Sequence, residues 1–293
     1  MHDMKNNVQV LREYAMIIRN IFLRCRKELR MTKQDFINSI PGLKKISPIF
    51  SQVTKMPMVF CHEETMDDYI YVYLEESDAL AKAKELNEEK MPAIVVNCKE
   101  KEVLPFLAEI RLTGVNAICF VMPKAQGGEE LIIQIGEFLK LPDWNELPVE
   151  KRPLENMSLH LSMLYFMQEM RRPIEQDAKQ NLTELEEETS ANITRARFMI
   201  PVQEGSDGEN KGKKGIMILK NEKEEMLVPL FTDGGEMRKF MKGKPCPVAV
   251  VDFRAVVDMI IKGSGTGIVI NPSSCNVVLN KMGILSLVKR FMV

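Results

Sequence analysis

From Val8 to Leu29 the apolar residues Val8, Leu11, Ala15, Ile18, Phe22, Cys25 and Leu29 recur at steps of three and four, while Arg12, Glu13, Arg19, Arg26 and Lys27 fill the other side. That period predicts a long amphipathic helix with one buried stripe. A second helix is predicted over 32–39, where Pro41-Gly42 stops it. Apolar runs of strand length follow at Met58 to Cys61, Ile70 to Leu74, Ala93 to Val96 and Ala117 to Met122, rich in Val, Ile, Tyr and Phe. Helical patterns over 78–86 and 103–112 separate them, and another helical stretch is predicted to end near Leu141. Strands alternating with helices are the order expected when helices cover a sheet that contains parallel neighbours.

Pro142, Pro148 and Pro153 crowd the next stretch, a composition that marks a linker. Helical patterns then restart over 157–171 and 176–188. Strand runs follow at 197–202, 215–219, 226–231, 248–253 and 267–271, with helices over 235–241 and 254–262. The tail puts Leu285, Val288 and Met292 on one helical stripe. The methionines Met157, Met163, Met167 and Met170 form a stripe that reads as core before it reads as an interface.

The two halves repeat one another. Tyr71-Val72-Tyr73-Leu74-Glu75-Glu76 matches Val228-Pro229-Leu230-Phe231-Thr232-Asp233, each an apolar run that ends in polar residues and opens a helix. Pro92-Ala93-Ile94-Val95-Val96-Asn97 matches Pro247-Val248-Ala249-Val250-Val251-Asp252. Ile118-Cys119-Phe120-Val121-Met122-Pro123 matches Gly267-Ile268-Val269-Ile270-Asn271-Pro272. Three matched blocks in one order predict an internal duplication. The fold class expected is therefore α/β, mixed α+β, with two tandem modules at 1–147 and 148–293, each a mixed sheet flanked by helices.

In the second half, the run Leu227 to Asp233, the strand over 248–253 and the closing Gly267-Ile268-Val269-Ile270-Asn271-Pro272 resemble the SseB N-terminal domain family of bacteria. The resemblance runs from about Asn181 to Lys281. The first half is similar only through the internal match, and it departs at the motifs: Glu75-Glu76 stands in place of Thr232-Asp233, and Met122 in place of Asn271. The resemblance implies a bacterial cytoplasmic α/β domain of no established biochemical activity.

The 293 residues are 45% apolar and 28% charged, a globular balance with room for two cores. Lys and Arg total 40 against 41 Asp and Glu, so no net field favours nucleic acid. Polar residues at the start argue against a secretory leader, and no apolar run approaches the ~20 residues of a membrane span. The scattered Cys25, Cys61, Cys98, Cys119, Cys246 and Cys275 contain no CxxC pair and read as free thiols in a reducing cytoplasm.

Candidate chemistry is sparse. Thr232, Asp233 and Asn271 are expected to converge beside Pro272, because loops after the carboxyl ends of parallel strands form a crevice. A structural account competes at each position. Asp233 stands three residues before Glu236, the spacing of a capping box. Asn271 precedes Pro272 and is expected to be held extended in a turn. Gly263-Ser264-Gly265-Thr266-Gly267 precedes a strand, so it reads as a turn and not a dinucleotide loop. The stretch 205–215 lacks phosphate-loop spacing and reads as a connection. Adjacent Cys61-His62-Glu63-Glu64 point to alternate faces and cannot close on one metal. His160 lies in an apolar helix as a core histidine.

No catalytic residue, metal site or cofactor is expected. The preferred reading is a non-catalytic module that binds another protein or regulates it, with no nucleic acid or membrane partner and with a homo-oligomer allowed. The alternative is a binder of small ligands or peptides, or a weak hydrolase, using the Thr232/Asp233/Asn271 edge.

Overall fold

A computed structural model describes residues 32–140, 144–148, 151–204, 214–263 and 265–292. The helix expected over 8–29 and most of the connection at 205–215 lie outside them. The chain divides into two compact units, residues 1–41 and 42–293. In the first unit, α1 (Lys33–Ser39) starts at a reciprocal capping box. Thr32 Oγ1 accepts from the Asp35 amide at 3.1 Å, and Asp35 Oδ2 accepts from the Thr32 amide at 3.2 Å.

The second unit opens with a sheet of β1 (Lys45–Ser51), β2 (Val59–Cys61), β3 (Asp68–Tyr73), β4 (Ala93–Val95), β5 (Cys98–Lys99), β6 (Ala117–Val121) and β7 (Glu130–Gln134). The order is β4-β1-β3-β6-β7, with β2 also on β3 and β5 also on β1. Only β3 and β6 run parallel. Helices α2 (Glu76–Glu88), α3 (Glu100–Ile110) and the single turn α4 (Ile135–Phe138) connect the strands. The spacing of Ala79, Ala83 and Leu86 puts one stripe of α2 into a core with Ile49, Met58, Tyr73 and Cys119.

Beyond the prolines come α5 (Met157–Met170), α6 (Leu182–Arg195), β8 (Arg197–Glu204), β9 (Lys214–Ile216), β10 (Leu219–Lys220), β11 (Met226–Leu230), α7 (Gly234–Phe240), β12 (Val248–Asp252), α8 (Phe253–Lys262), β13 (Gly267–Ile270), β14 (Val277–Asn280) and α9 (Lys281–Phe291). The ladders β10-β11-β13-β14 and β12-β8-β9 meet where Met199 and Phe231 exchange both N–H···O bonds at 3.0 Å. Through that bridge the order is β12-β8-β11-β13-β14, and β11/β13 is again the one parallel pair. The register agrees with the matched blocks as well: Tyr71 faces Cys119 as Val228 faces Ile268, and Tyr73 faces Val121 as Leu230 faces Ile270.

Several strands differ from the sequence expectation: β5 is not among those expected, and the run expected at 215–219 divides into β9 and β10. The helical stretch expected to end near Leu141 is strand β7 followed by α4, because Leu131, Ile132 and Ile133 pair with β6. β1 carries Pro48, a residue that argues against a strand. β14 is only four residues long. The helix expected over 176–188 is instead a 3₁₀ turn at Gln176–Ala178 followed by α6.

Helix α5 ties the two halves of this unit together. Its Tyr165 hydroxyl donates to Asp68 Oδ1 at 2.6 Å. Gln168 acts as a substitute strand at the β2 edge, accepting from the Val59 amide at 3.0 Å and donating to the Val59 carbonyl at 3.1 Å. Arg171 donates to Val53 O at 2.8 Å and to Asn276 O at 2.9 Å. Of the methionine stripe, Met163 and Met167 are buried and Met157 is exposed. No helix among the described residues is long and apolar enough to cross a membrane.

Candidate functional site

Because β11 and β13 are parallel neighbours, their carboxyl ends arrive side by side, and Thr232, Asp233 and Asn271 do come together. The Thr232 amide donates to Asn271 Oδ1 at 3.1 Å, and Asn271 Nδ2 donates to Thr232 Oγ1 at 2.9 Å. The Thr232 hydroxyl in turn donates to Asp233 Oδ2 at 2.8 Å. Asn156, just before α5, donates to the Thr232 carbonyl at 2.6 Å and to Arg197 O at 2.8 Å. The convergence is internal: Thr232 and Asn271 are 0% exposed and Asp233 2%, while Pro272 alone is half-buried.

Two local expectations are corrected. Asp233 does cap α7, its Oδ1 accepting from the Gly235 amide at 2.8 Å and the Glu236 amide at 3.0 Å. Glu236, however, does not return the bond. It is buried, takes the Ser274 hydroxyl on Oε2 and pairs through Oε1 with Lys239 Nζ at 2.9 Å. Asn271 is not extended. Its φ is +49°, the left-handed region that Asn tolerates, and its carbonyl accepts from the amides of Ser274 at 3.0 Å and Asn276 at 2.9 Å. The strand end turns sharply because the side chain is bound to Thr232 on both sides of its amide.

His160, expected as a core histidine, is buried as expected and also partners the Asp233 carboxylate. Its Nδ1 lies 3.4 Å from Asp233 Oδ2, and both side chains are sealed from solvent. The Cys275 thiol is also against the imidazole and is 0% exposed. Burial favours the neutral ring, but Asp233, with Cys275 and Glu236, outweighs it and pushes the His160 pKa up to about 10. Asp233 moves the other way: burial would raise its pKa, but His160, the Glu236 amide and Thr232 hold it below the usual carboxylate range. Both shifts favour an ionic pair, held at the 3.4 Å separation with no hydrogen bond at either ring nitrogen. An ionisable residue in the otherwise uncharged run Met157-Ser158-Leu159-His160-Leu161 is the available signal.

Cysteine, histidine and aspartate are the residue types of a nucleophile, its base and an orienting group. Here solvent does not reach any of them. What the cluster does in this conformation is mechanical: it joins α5, the end of β11, the start of α7 and the β13–β14 turn. The first half holds the corresponding position differently. Glu75, the N-cap residue of α2, makes no side-chain capping bond, while Glu76 accepts from Asn97 Nδ2 at 2.8 Å and pairs with Lys45 at the surface.

Among the described residues, no group of three His, Cys, Asp or Glu side chains is placed to hold a metal ion. His62 accepts instead from the Thr65 amide at 3.3 Å.

The His160 shift sets a pH dependence. In the unfolded chain the ring loses its proton near 6.5, whereas the folded protein keeps it to about 10. The folded state therefore binds the extra proton between these values, and raising the pH favours unfolding. Stability from this pair is complete below about 6.5 and lost as pH approaches 10, with a slope of at most about 1.4 kcal/mol per pH unit. Urea midpoints measured from pH 6 to pH 10 should fall, and His160→Gln should flatten that fall. A wild-type midpoint as flat as that of the variant would refute the ionic pair.

Residues 177–285 match the family model described as SseB protein N-terminal domain, in agreement with the resemblance of the second half. No curated protein matches the chain. Two solved structures are similar. "Anabaena Tic22 (protein transport)" has 12% identity and a TM-score of 0.21, over 80% of this chain and 88% of that one. "Tic22 from Plasmodium falciparum" has 10% identity and a TM-score of 0.21, over 87% of this chain and 96% of that one. With scores that low, the mixed α+β architecture rests on this chain's own strand pairing.

Proposed function

We propose that the chain is a non-catalytic protein-interaction module made of two copies of one SseB-like unit, and that it takes up an extended segment of a partner protein at the edge strand β12. Support for the duplication comes from the shared strand order and the shared register of the parallel pair. Free thiols at the buried Cys98, Cys119 and Cys275 suit a reducing, cytoplasmic setting.

The observation that carries the docking role is the exposure of β12. This strand pairs with β8 alone, yet it reads Val-Ala-Val-Val-Asp, with Val248 40% and Val250 43% exposed. The Val202 amide donates to Pro247 O at 2.9 Å, and antiparallel bonding alternates from there. The main-chain groups of Val248 and Val250 therefore point off the sheet. An apolar edge with open backbone groups is a template for another strand, and proteins that do not use such an edge block it with charge or proline. In this reading the Thr232, Asp233 and Asn271 cluster shapes the module from within, and Pro272 is the member a partner can touch.

A photoreactive residue at position 248 of the full chain should give a discrete adduct in cell extract, and Val250→Lys should remove that adduct while changing stability by no more than about 0.5 kcal/mol. No adduct at 248, or an adduct indifferent to the lysine, would sink the proposal.

A further inference from the structure

Other strand edges of this unit are closed by side-chain amides. Gln168 closes β2 at Val59, and Asn87 closes β4, its Oδ1 accepting from the Ala93 amide at 3.0 Å and its Nδ2 donating to the Ala93 carbonyl at 2.9 Å. Each amide stands where a further strand would bond. β12 has no such cover: among the described residues, no side chain bonds the outward main-chain groups of Val248 and Val250. What this edge takes up is then decided by the charges around it.

Those charges are positive at both ends of the strand. Lys242 and Lys244 are exposed just ahead of it, and Cys246 Sγ, 3.6 Å from Val202 O, keeps the intervening chain beside β8. Arg254 is exposed at the other end, in the first turn of α8. Asp252 is the one acid of the strand, but it has Arg197 opposite it in register, and its Oδ1 caps the Ala255 amide at 2.8 Å. The cations of α7 are matched, Arg238 by Glu109 and Lys239 by Glu236. Lys242, Lys244 and Arg254 form no ion pair among the described residues. Five strand residues span only ~17 Å, so a segment laid along β12 meets an unmatched cation near each of its ends.

Given the docking role of β12, on which this inference rests, we propose that the partner is an acidic extended segment. Its apolar centre places alternate side chains beside Val248 and Val250, and carboxylates at its two ends meet Lys242 and Lys244 on one side and Arg254 on the other. The same charges oppose a second copy of this chain. Two β12 strands paired antiparallel, Val248 against Val250, would bring Lys244 of each copy towards Arg254 of the other, like charge against like at both ends. A segment with acidic ends gains at both, and the long reach of the attraction speeds its arrival.

The test titrates the full chain with three labelled peptides that share a Val-Thr-Val centre and carry a pair of glutamates, serines or lysines at each end, read by fluorescence anisotropy at about 50 mM and about 300 mM salt. The glutamate peptide should bind at least about tenfold more tightly than the serine peptide at low salt, and the lysine peptide more weakly still. The preference should shrink severalfold at high salt. Lys244→Glu combined with Arg254→Glu, both at the surface, should reverse the order of the glutamate and lysine peptides. Val250→Pro removes an outward amide without touching the β8 ladder, so it should abolish binding and leave the melting temperature within a few degrees of wild type. Equal binding of the three peptides, or no binding of the glutamate peptide by a chain that still gives the adduct at position 248, overturns the acidic partner and leaves the docking role standing. Loss of both the binding and the adduct ends both. Glutamate-peptide binding that survives Val250→Pro, or a dimer of the full chain that Val250→Pro dissolves, also overturns the proposal.

Discussion

Replacing Asp233 with alanine is expected to destabilise the 42–293 unit by about 3–5 kcal/mol, because it removes the carboxylate that holds the proton on His160, and burial then drives the ring to its neutral form with the pair lost. The same carboxylate caps α7 through two amides and accepts the Thr232 hydroxyl, so about 1 kcal/mol of helix capping goes with it. Removing the histidine instead costs less, since Asp233 keeps its three donors and remains satisfied. Urea unfolding of Asp233→Ala, His160→Gln and the double variant separates these contributions. The double variant should be more stable than the sum of the single losses by at least about 1 kcal/mol, because each single change already removes the same pair interaction. Strict additivity would mean that the contact at 3.4 Å carries no charge interaction. If Asp233→Ala does not fold, Asp233→Asn keeps the shape and part of the capping, and its loss relative to wild type reports the charge with the rest of the capping.

The sequence disclosed the parts of this fold that local pattern dictates, and it missed the parts that depend on distant pairing. β3, β4, β6, β11, β12 and β13 are largely apolar runs; β3, β6, β11 and β13 read that way as parallel strands inside a sheet, and β4 and β12 share the composition at the edges. β1 and β7 do not. One holds Pro48, and the other, Glu-Leu-Ile-Ile-Gln, fits a helical period as well as a strand until β6 is beside it. The same limit applies to the site. Thr232, Asp233 and Asn271 were legible because they end matched strands. Their burial was not, since the lid comes from α5, whose His160 and Asn156 lie more than seventy residues away in the chain. The extended backbone expected at Asn271 failed for a related reason: a proline one residue later biases φ and ψ, but two hydrogen bonds to Thr232 and two more to its own carbonyl outweigh that bias.

The docking of α5 should be most sensitive at Gly114. This residue ends the turn after α3 with φ +89°, and a β-carbon there would lie 2.5 Å from the Met157 carbonyl oxygen and 2.8 Å from Leu161 Cβ. Gly127 provides the control, with φ +112° but nothing within 4 Å of its would-be β-carbon. Gly127→Ala therefore carries only the backbone cost, about 1–2 kcal/mol. Gly114→Ala adds overpacking against the main chain of α5, worth a further 1–3 kcal/mol or so, for a loss of about 2–5 kcal/mol in all. Helix α5 cannot retreat cheaply, because Glu155 just ahead of it is held by Arg111 at 2.9 and 2.6 Å and by Trp144 at 3.1 Å. Retreat would also strain the Tyr165 and Gln168 bonds to the first sheet and the contact of His160 with Asp233, so Gly114→Ala should bring the alkaline loss of stability to lower pH. Equal losses for the two glycine variants in urea would show that α5 does not press on the turn, and would remove the steric basis for treating the two halves as one docked body.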